Sequence, residues 1–170
     1  MTSIQFVFSR GDSALCYQGH LEILQAIIRQ VEDKNAKCKR GNTPLHYTTI
    51  KAHLQIFEEI SKVIEDKHPK NNMEVTPFHA AANFGHFEIC KCILEQAEDK
   101  NPIGQIGFTP LHVAALSGQQ DICNLIGENV EDQNPLDDLG RTPKFCFWLG
   151  MVMECTWVLQ IYWKNISCLY

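Results

Sequence analysis

The stretch Thr109-Pro110-Leu111-His112-Val113-Ala114-Ala115, with Gly118 three residues on, decides the fold. Thirty-three residues earlier stands Thr76-Pro77-Phe78-His79-Ala80-Ala81-Ala82, with Gly85 in the same place. Thirty-three before that stands Thr43-Pro44-Leu45-His46. A damaged copy, Thr142-Pro143-Lys144-Phe145, arrives on the same schedule. A fixed period of this length means stacked units, each burying its apolar flank on the next, and not one core around a pocket.

Each residue type in the motif has a local reason. The threonine hydroxyl can accept a hydrogen bond from the backbone N–H three residues on, as a helix N-cap does. Proline at the first helical position loses an N–H that had no partner anyway, and it holds the preceding threonine extended. Alanines after the histidine let a neighbouring helix approach closely. Gly85 and Gly118 then end the first helix, because glycine accepts the left-handed backbone found there. A second helix follows: Ile89, Cys90, Ile93 and Leu94 share one face, and so do Ile56, Phe57 and Ile60, and Ile122, Cys123, Leu125 and Ile126. Polar loops close the units, at Glu32–Asn35, Glu65–Pro69, Glu98–Pro102 and Glu131–Pro135. The short polar stretch before each threonine suits a projecting turn or two-stranded finger.

These boundaries divide the chain into an irregular capping repeat at 1–39, intact repeats at 40–72, 73–105 and 106–138, and a degenerate repeat with an apolar tail at 139–170. The first unit keeps Gly19-His20-Leu21-Glu22-Ile23-Leu24 but lacks a Thr-Pro start, as an outer cap can.

Composition narrows the function. The 170 residues are 45% hydrophobic and 21% charged, which is globular rather than disordered. A net charge of −5 offers no general attraction to nucleic acid or anionic lipid. The basic run Lys34, Lys37, Lys39 and Arg40 has no aromatic residues between its charges and reads as a solvated loop. Met1 to Arg10 lacks the pattern of a signal peptide, so the eight cysteines read as reduced thiols, and the Arg10-Gly11-Asp12 triplet and the Asn165 sequon as silent.

Seven histidines invite a test for metal chemistry. His46, His79 and His112 hold one repeat position, so they lie about one helix-packing distance apart, roughly 8–10 Å. Two of them cannot share a zinc at ~2 Å; their expected role is to hold the turn at the helix start by hydrogen bonding. His20, His53 and His86 start second helices and take the same structural reading. Cys90 and Cys92 point to different sides of a helix and are no redox pair. Neither a nucleophile elbow, a phosphate-binding loop nor a His-Glu-x-x-His motif occurs, so the expectation is a chain that is not an enzyme and needs no metal or cofactor.

The three Thr-Pro motifs at identical spacing resemble the ankyrin repeat family, over roughly residues 7 to 143. The resemblance implies an all-α, ankyrin-like α-solenoid of stacked helix-turn-helix repeats with short projecting fingers. It implies a monomer that binds protein partners inside the cell, in the cytoplasm or nucleus, as a scaffold or interaction module. Partners of the family usually lie against the concave face of first helices and fingers. Carried onto this chain, the first-helix positions are Tyr47, Ile50, Lys51, Asn83, Phe84, Leu116 and Ser117. The finger positions are Asn42, Asn72, Val75, Gln105, Phe108, Asp138 and Arg141. Phe84 and Phe108 should be removable together without harm to the fold.

Departures from the family pattern carry their own expectations. Thr48 and Thr49 replace paired alanines and should loosen packing; Ala52 replaces the helix-ending glycine; Glu74 replaces a glycine two positions before the motif. Glu-Asp follows each second helix where the family has Gly-Ala. In the fifth unit Lys144 falls at a buried leucine position, and Phe147 and Trp148 fall on the alanine positions.

The tail is apolar from Phe145 to Trp163. It could pack as an irregular helix on the fourth unit, mark a truncated or alternatively spliced product of a longer ankyrin protein, or cross a membrane, since 19 residues just suffice. The alternative to a free-standing module is therefore the cytosolic ankyrin portion of a channel-like membrane protein.

Overall fold

In the computed structural model, residues 33–152 are described. The capping repeat before Asp33 and the tail beyond Val152, with the three readings of it, lie outside the described residues. Seven α-helices and no strand occur among the described residues. They are α1 (Pro44–Ile50), α2 (Leu54–Val63), α3 (Pro77–Phe84), α4 (Phe87–Gln96), α5 (Pro110–Leu116), α6 (Gln120–Gly127) and α7 (Pro143–Val152), with one 3₁₀ turn at Gln105–Gly107.

The odd-numbered helices pack in a row, α1 on α3 on α5 on α7, and α2, α4 and α6 form a second row outside them. Thr43, Thr76 and Thr109 all cap first helices in extended backbone, each with proline behind it and a reciprocal box with the histidine. Thr142 does the same work in the damaged copy, where its Oγ1 accepts from the Phe145 N–H at 3.2 Å. Between the two rows lies the apolar seam: Leu45, Phe78 and Leu111 from first helices, and Phe57, Ile60, Ile89, Ile93, Ile122 and Ile126 from second helices, all buried. Each such side chain contributes roughly 1.5–3 kcal/mol relative to exposure.

Helix ends and fingers repeat the same backbone. Ala52, Gly85 and Gly118 share a register and all have positive φ, at 56°, 78° and 69°. Gly41, Glu74, Gly107 and Gly140 share another, at 77°, 57°, 71° and 71°. Ala52 and Glu74 therefore sit in the left-handed region with a Cβ that glycine lacks. The Glu-Asp loops also have a physical rationale. Asp33, Asp66, Asp99 and Asp132 each accept, through Oδ1, the N–H two residues on, at 2.9–3.0 Å. These are Asx turns, and the last three follow α2, α4 and α6 in place of the Gly-Ala pair.

Thr48 and Thr49 are fully buried and do not keep α3 away. Thr48 Oγ1 donates to the Leu45 carbonyl at 3.1 Å. The Thr49 hydroxyl has no partner, and that is where the departure costs stability.

The fifth unit departs from expectation in an informative way. Its first helix forms and runs on past the point where Gly85 and Gly118 stop theirs, since Met151 stands there. Lys144 is exposed, not buried, because its position opens onto a groove. Phe147 and Trp148 do not keep α7 off its neighbour. The close approach is made at Cys146, fully buried, and at Gly150, where a Cβ would come within 2.5 Å of the Leu116 carbonyl oxygen, while Phe147 packs half-buried against the core. Trp148 points outward, 58% exposed.

Candidate functional site

Histidines join each repeat to the next. In each motif the Nδ1 atom accepts from the backbone N–H of its own threonine, at 3.1 Å in Thr43–His46 and 3.3 Å in the other two. Nδ1 being an acceptor, Nε2 carries the proton. It donates to a carbonyl in the following finger: His46 to Val75 at 2.9 Å, His79 to Phe108 at 3.0 Å, His112 to Arg141 at 3.0 Å. Both ring nitrogens are thus used structurally. Burial lowers the pKa of His46 and His79 to about 4, against the raising effect of those carbonyls. Burial also lowers His112, His68 and His86.

Cys38, Cys90, Cys92, Cys123 and Cys146 are free thiols. Burial raises Cys90 to about 12, and Cys123 and Cys146 to about 11. Thiols held protonated in this way are poor nucleophiles.

The finger bases are filled, not open. Phe108 is 2% exposed; its ring stacks on His112 at 5.4 Å and 8°, and the Arg141 guanidinium lies 5.2 Å above the Phe108 ring. Arg141 Nε donates to Asp137 Oδ2 at 2.6 Å. Burial alone would raise the Asp137 pKa. Hydrogen bonds from the Arg141 backbone and side chain and from the Leu139 N–H outweigh it and hold the carboxyl below its usual value. Asn42 is buried too, with its Oδ1 taken by Asn71 Nδ2 at 2.9 Å, and Val75 is buried beside it.

These contacts correct the assignment of site residues made from the family pattern. Asn42, Val75, Phe108, Tyr47, Ile50, Asn83 and Leu116 are buried, and so cannot present a side chain to a partner without unpacking. The Tyr47 hydroxyl donates to Cys38 Sγ at 3.4 Å, and burial raises its pKa to about 12. Asn83 Oδ1 accepts from Ser117 Oγ at 2.9 Å, tying α3 to α5. Phe108 in particular is packed as core, so its removal should harm the fold. Lys51, Phe84 and Ser117 remain half-buried along the ends of α1, α3 and α5, in one register. Gln105 and Arg141 are half-buried in the fingers, and Asn72 and Asp138 are exposed there.

Two hollows lie toward the last described repeat, and only the second reaches this row, at Ser117. One, of about 440 Å³, is bounded by Leu111, Ala115, Cys123, Gly127, Lys144 and Phe147, where α7 lacks an outer helix among the described residues. The other, of about 360 Å³, lies between Asn83, Ser117, Gln119, Phe147 and Met151. Sequence reasoning also passed over the exposed aliphatic tips of the last two fingers, Ile103, Ile106, Leu136 and Leu139. Their signal was available: in the same register the first finger carries Lys37 and Arg40.

No helix of the described residues is long and apolar enough to cross a membrane. A family model for ankyrin repeats, in three copies, matches residues 13–101 and again 52–138. Comparison with curated proteins gives no match.

Proposed function

Because the chain belongs to the ankyrin repeat family, whose repeats are generally protein–protein interaction modules, we propose that it is a non-catalytic scaffold that takes its partner on the concave face. The observation that carries this reading is the row Lys51, Phe84 and Ser117. One half-exposed position recurs on successive first helices, and the histidine bonds hold those helices at fixed spacing. Preorganised rows of this kind bind with a reduced ordering cost, and an aromatic such as Phe84 carries a large share of the affinity. The three motif histidines are spoken for structurally, with both ring nitrogens hydrogen-bonded, and burial keeps Cys90, Cys123 and Cys146 protonated. The partner is a protein of the cytoplasm or nucleus, and the module acts as a monomer.

Affinity capture from native lysate tests this, with the whole chain beside a Lys51→Glu/Phe84→Ala variant shown by circular dichroism to be folded. Proteins retained by the first and lost by the second are the expected result. An identical set in both would remove the concave row from consideration.

A further inference from the structure

The fingers form a second exposed edge, and its chemistry changes along its length. The first two fingers carry exposed Lys37, Lys39, Arg40 and Lys70. The registers of Lys37 and Arg40 carry Ile103 and Ile106 in the third finger and Leu136 and Leu139 in the fourth, which are 60%, 42%, 65% and 68% exposed. Half-buried Met73 stands at the Arg40 register in the second finger, and the register of Lys39 carries Asn72, Gln105 and Asp138.

Neighbouring tips within each half are tied together. The Asn72 N–H donates to the Arg40 carbonyl at 3.1 Å, and Lys37 Nζ to the Lys70 carbonyl at 2.8 Å. In the other half the Asp138 N–H donates to the Ile106 carbonyl at 3.2 Å. The aliphatic tips therefore adjoin. Their exposure is no end effect, because Ile103 and Ile106 stay uncovered with the fourth finger seated beside them.

Ile106 gives an independent pointer. Its φ is 60°, a left-handed backbone that a β-branched side chain strongly disfavours. The strained side chain is exposed and fills no core, so packing does not account for an isoleucine there. Strain of this kind concentrates at binding sites.

We propose that the finger edge docks a segment of another protein that is aliphatic in one half and acidic in the other. The aliphatic half lies over the third and fourth fingers, and the carboxylates over the first and second. Charge sets this direction: four cations stand at one end against Glu74, while Asp138 at the other end repels an acid. Three finger steps of roughly 8–10 Å span about 27 Å, the length of about eight extended residues. An anionic membrane fits less well. Its surface asks for cations around an apolar centre, not segregated end to end, and the chain's net charge of −5 opposes it. This inference rests on the reading of the chain as a protein-binding module and deepens it, since the fingers belong to the face that reading uses; the tips are other residues than the row Lys51, Phe84 and Ser117.

The probe is a fluorescein-labelled peptide of about twelve residues, with leucines in one half and glutamates in the other, made in both orders. Fluorescence anisotropy at low salt should show binding by one order. Lys39→Glu/Arg40→Glu should weaken it at least tenfold, Ile106→Asn/Leu139→Ser should reduce it to background, and Phe84→Ala should leave it unchanged. Equal binding of a lysine-for-glutamate peptide would overturn the proposal. So would insensitivity to the tip variants, binding of phosphatidylserine vesicles in place of the peptide, or self-association in sedimentation that Leu139→Ser abolishes. Should the concave-row capture fail while the peptide result holds, only the first proposal falls; the reverse outcome sinks only this one.

Discussion

His79 Nε2 donates to the backbone carbonyl of Phe108 at 3.0 Å, across 29 residues of chain. The same ring holds its own helix start, because its Nδ1 accepts from the Thr76 N–H at 3.3 Å. One side chain thus serves as local cap and as inter-repeat strut, and the two roles fail together.

Replacing His79 with alanine leaves the Thr76 N–H unpaired in a buried place and takes one of two donors from the Phe108 carbonyl, which keeps the Gly104 N–H at 2.7 Å, besides emptying the ring's volume. A loss of about 2–4 kcal/mol is expected. Urea unfolding at pH 7.5 measures it. A loss under about 0.5 kcal/mol would mean that the strut carries no load.

Acid should unfold the chain early. His46 and His79 have folded pKa values near 4, below the ordinary 6.5. The unfolded chain therefore binds more protons between those values. Stability is complete above about pH 6.5 and falls as pH drops towards 4, by about 2 kcal/mol per histidine at pH 5. The urea midpoint at pH 7.5, 6 and 5 tracks this before carboxylates begin to titrate. A midpoint flat across that range contradicts neutral buried rings.

Ala52 and Glu74 hold positive φ at positions where sister repeats have glycine. Ala52→Gly and Glu74→Gly should each raise stability by about 0.5–1 kcal/mol, read from thermal melts. Glu74→Gly has a second consequence. A Cβ at Gly41 would strike Asn72, and one at Gly107 would strike Asp138, which are the contacts where those fingers hydrogen-bond to the next. Among the described residues no such bond joins Gln105 to Met73, beside Glu74. Removing the side chain should let it form, slowing amide exchange at Gln105; unaltered exchange would show that another contact holds the two fingers apart.

The two phenylalanines of the family-implied surface should behave oppositely. Phe108→Ala empties a buried site between His112 and Arg141 and should cost about 3–5 kcal/mol. Phe84, half-buried, should cost under about 1.5 kcal/mol as alanine. Equal melting temperatures for the two variants would argue against the packing of the fourth finger described above.

What the amino-acid order determined alone was everything local and periodic. Thr-Pro marks a helix start through a hydroxyl acceptor and a locked φ, and the apolar spacing of Ile89, Cys90, Ile93 and Leu94 marks a buried face. Both work within one turn of chain, so both were legible without coordinates, as was the 33-residue step. What only the tertiary structure decided was which faces remain open. Phe108 and Val75 stand in polar fingers and look like surface, yet the finger folds back over the histidine of the preceding repeat and covers them. Lys144 stands in a buried register, yet it meets solvent at a groove. Nothing in the repeat pattern marks Gly150, yet it is the point where α7 touches the α5 backbone. Burial at such positions depends on the neighbouring unit, a whole repeat away in sequence, and no pattern within one repeat encodes it.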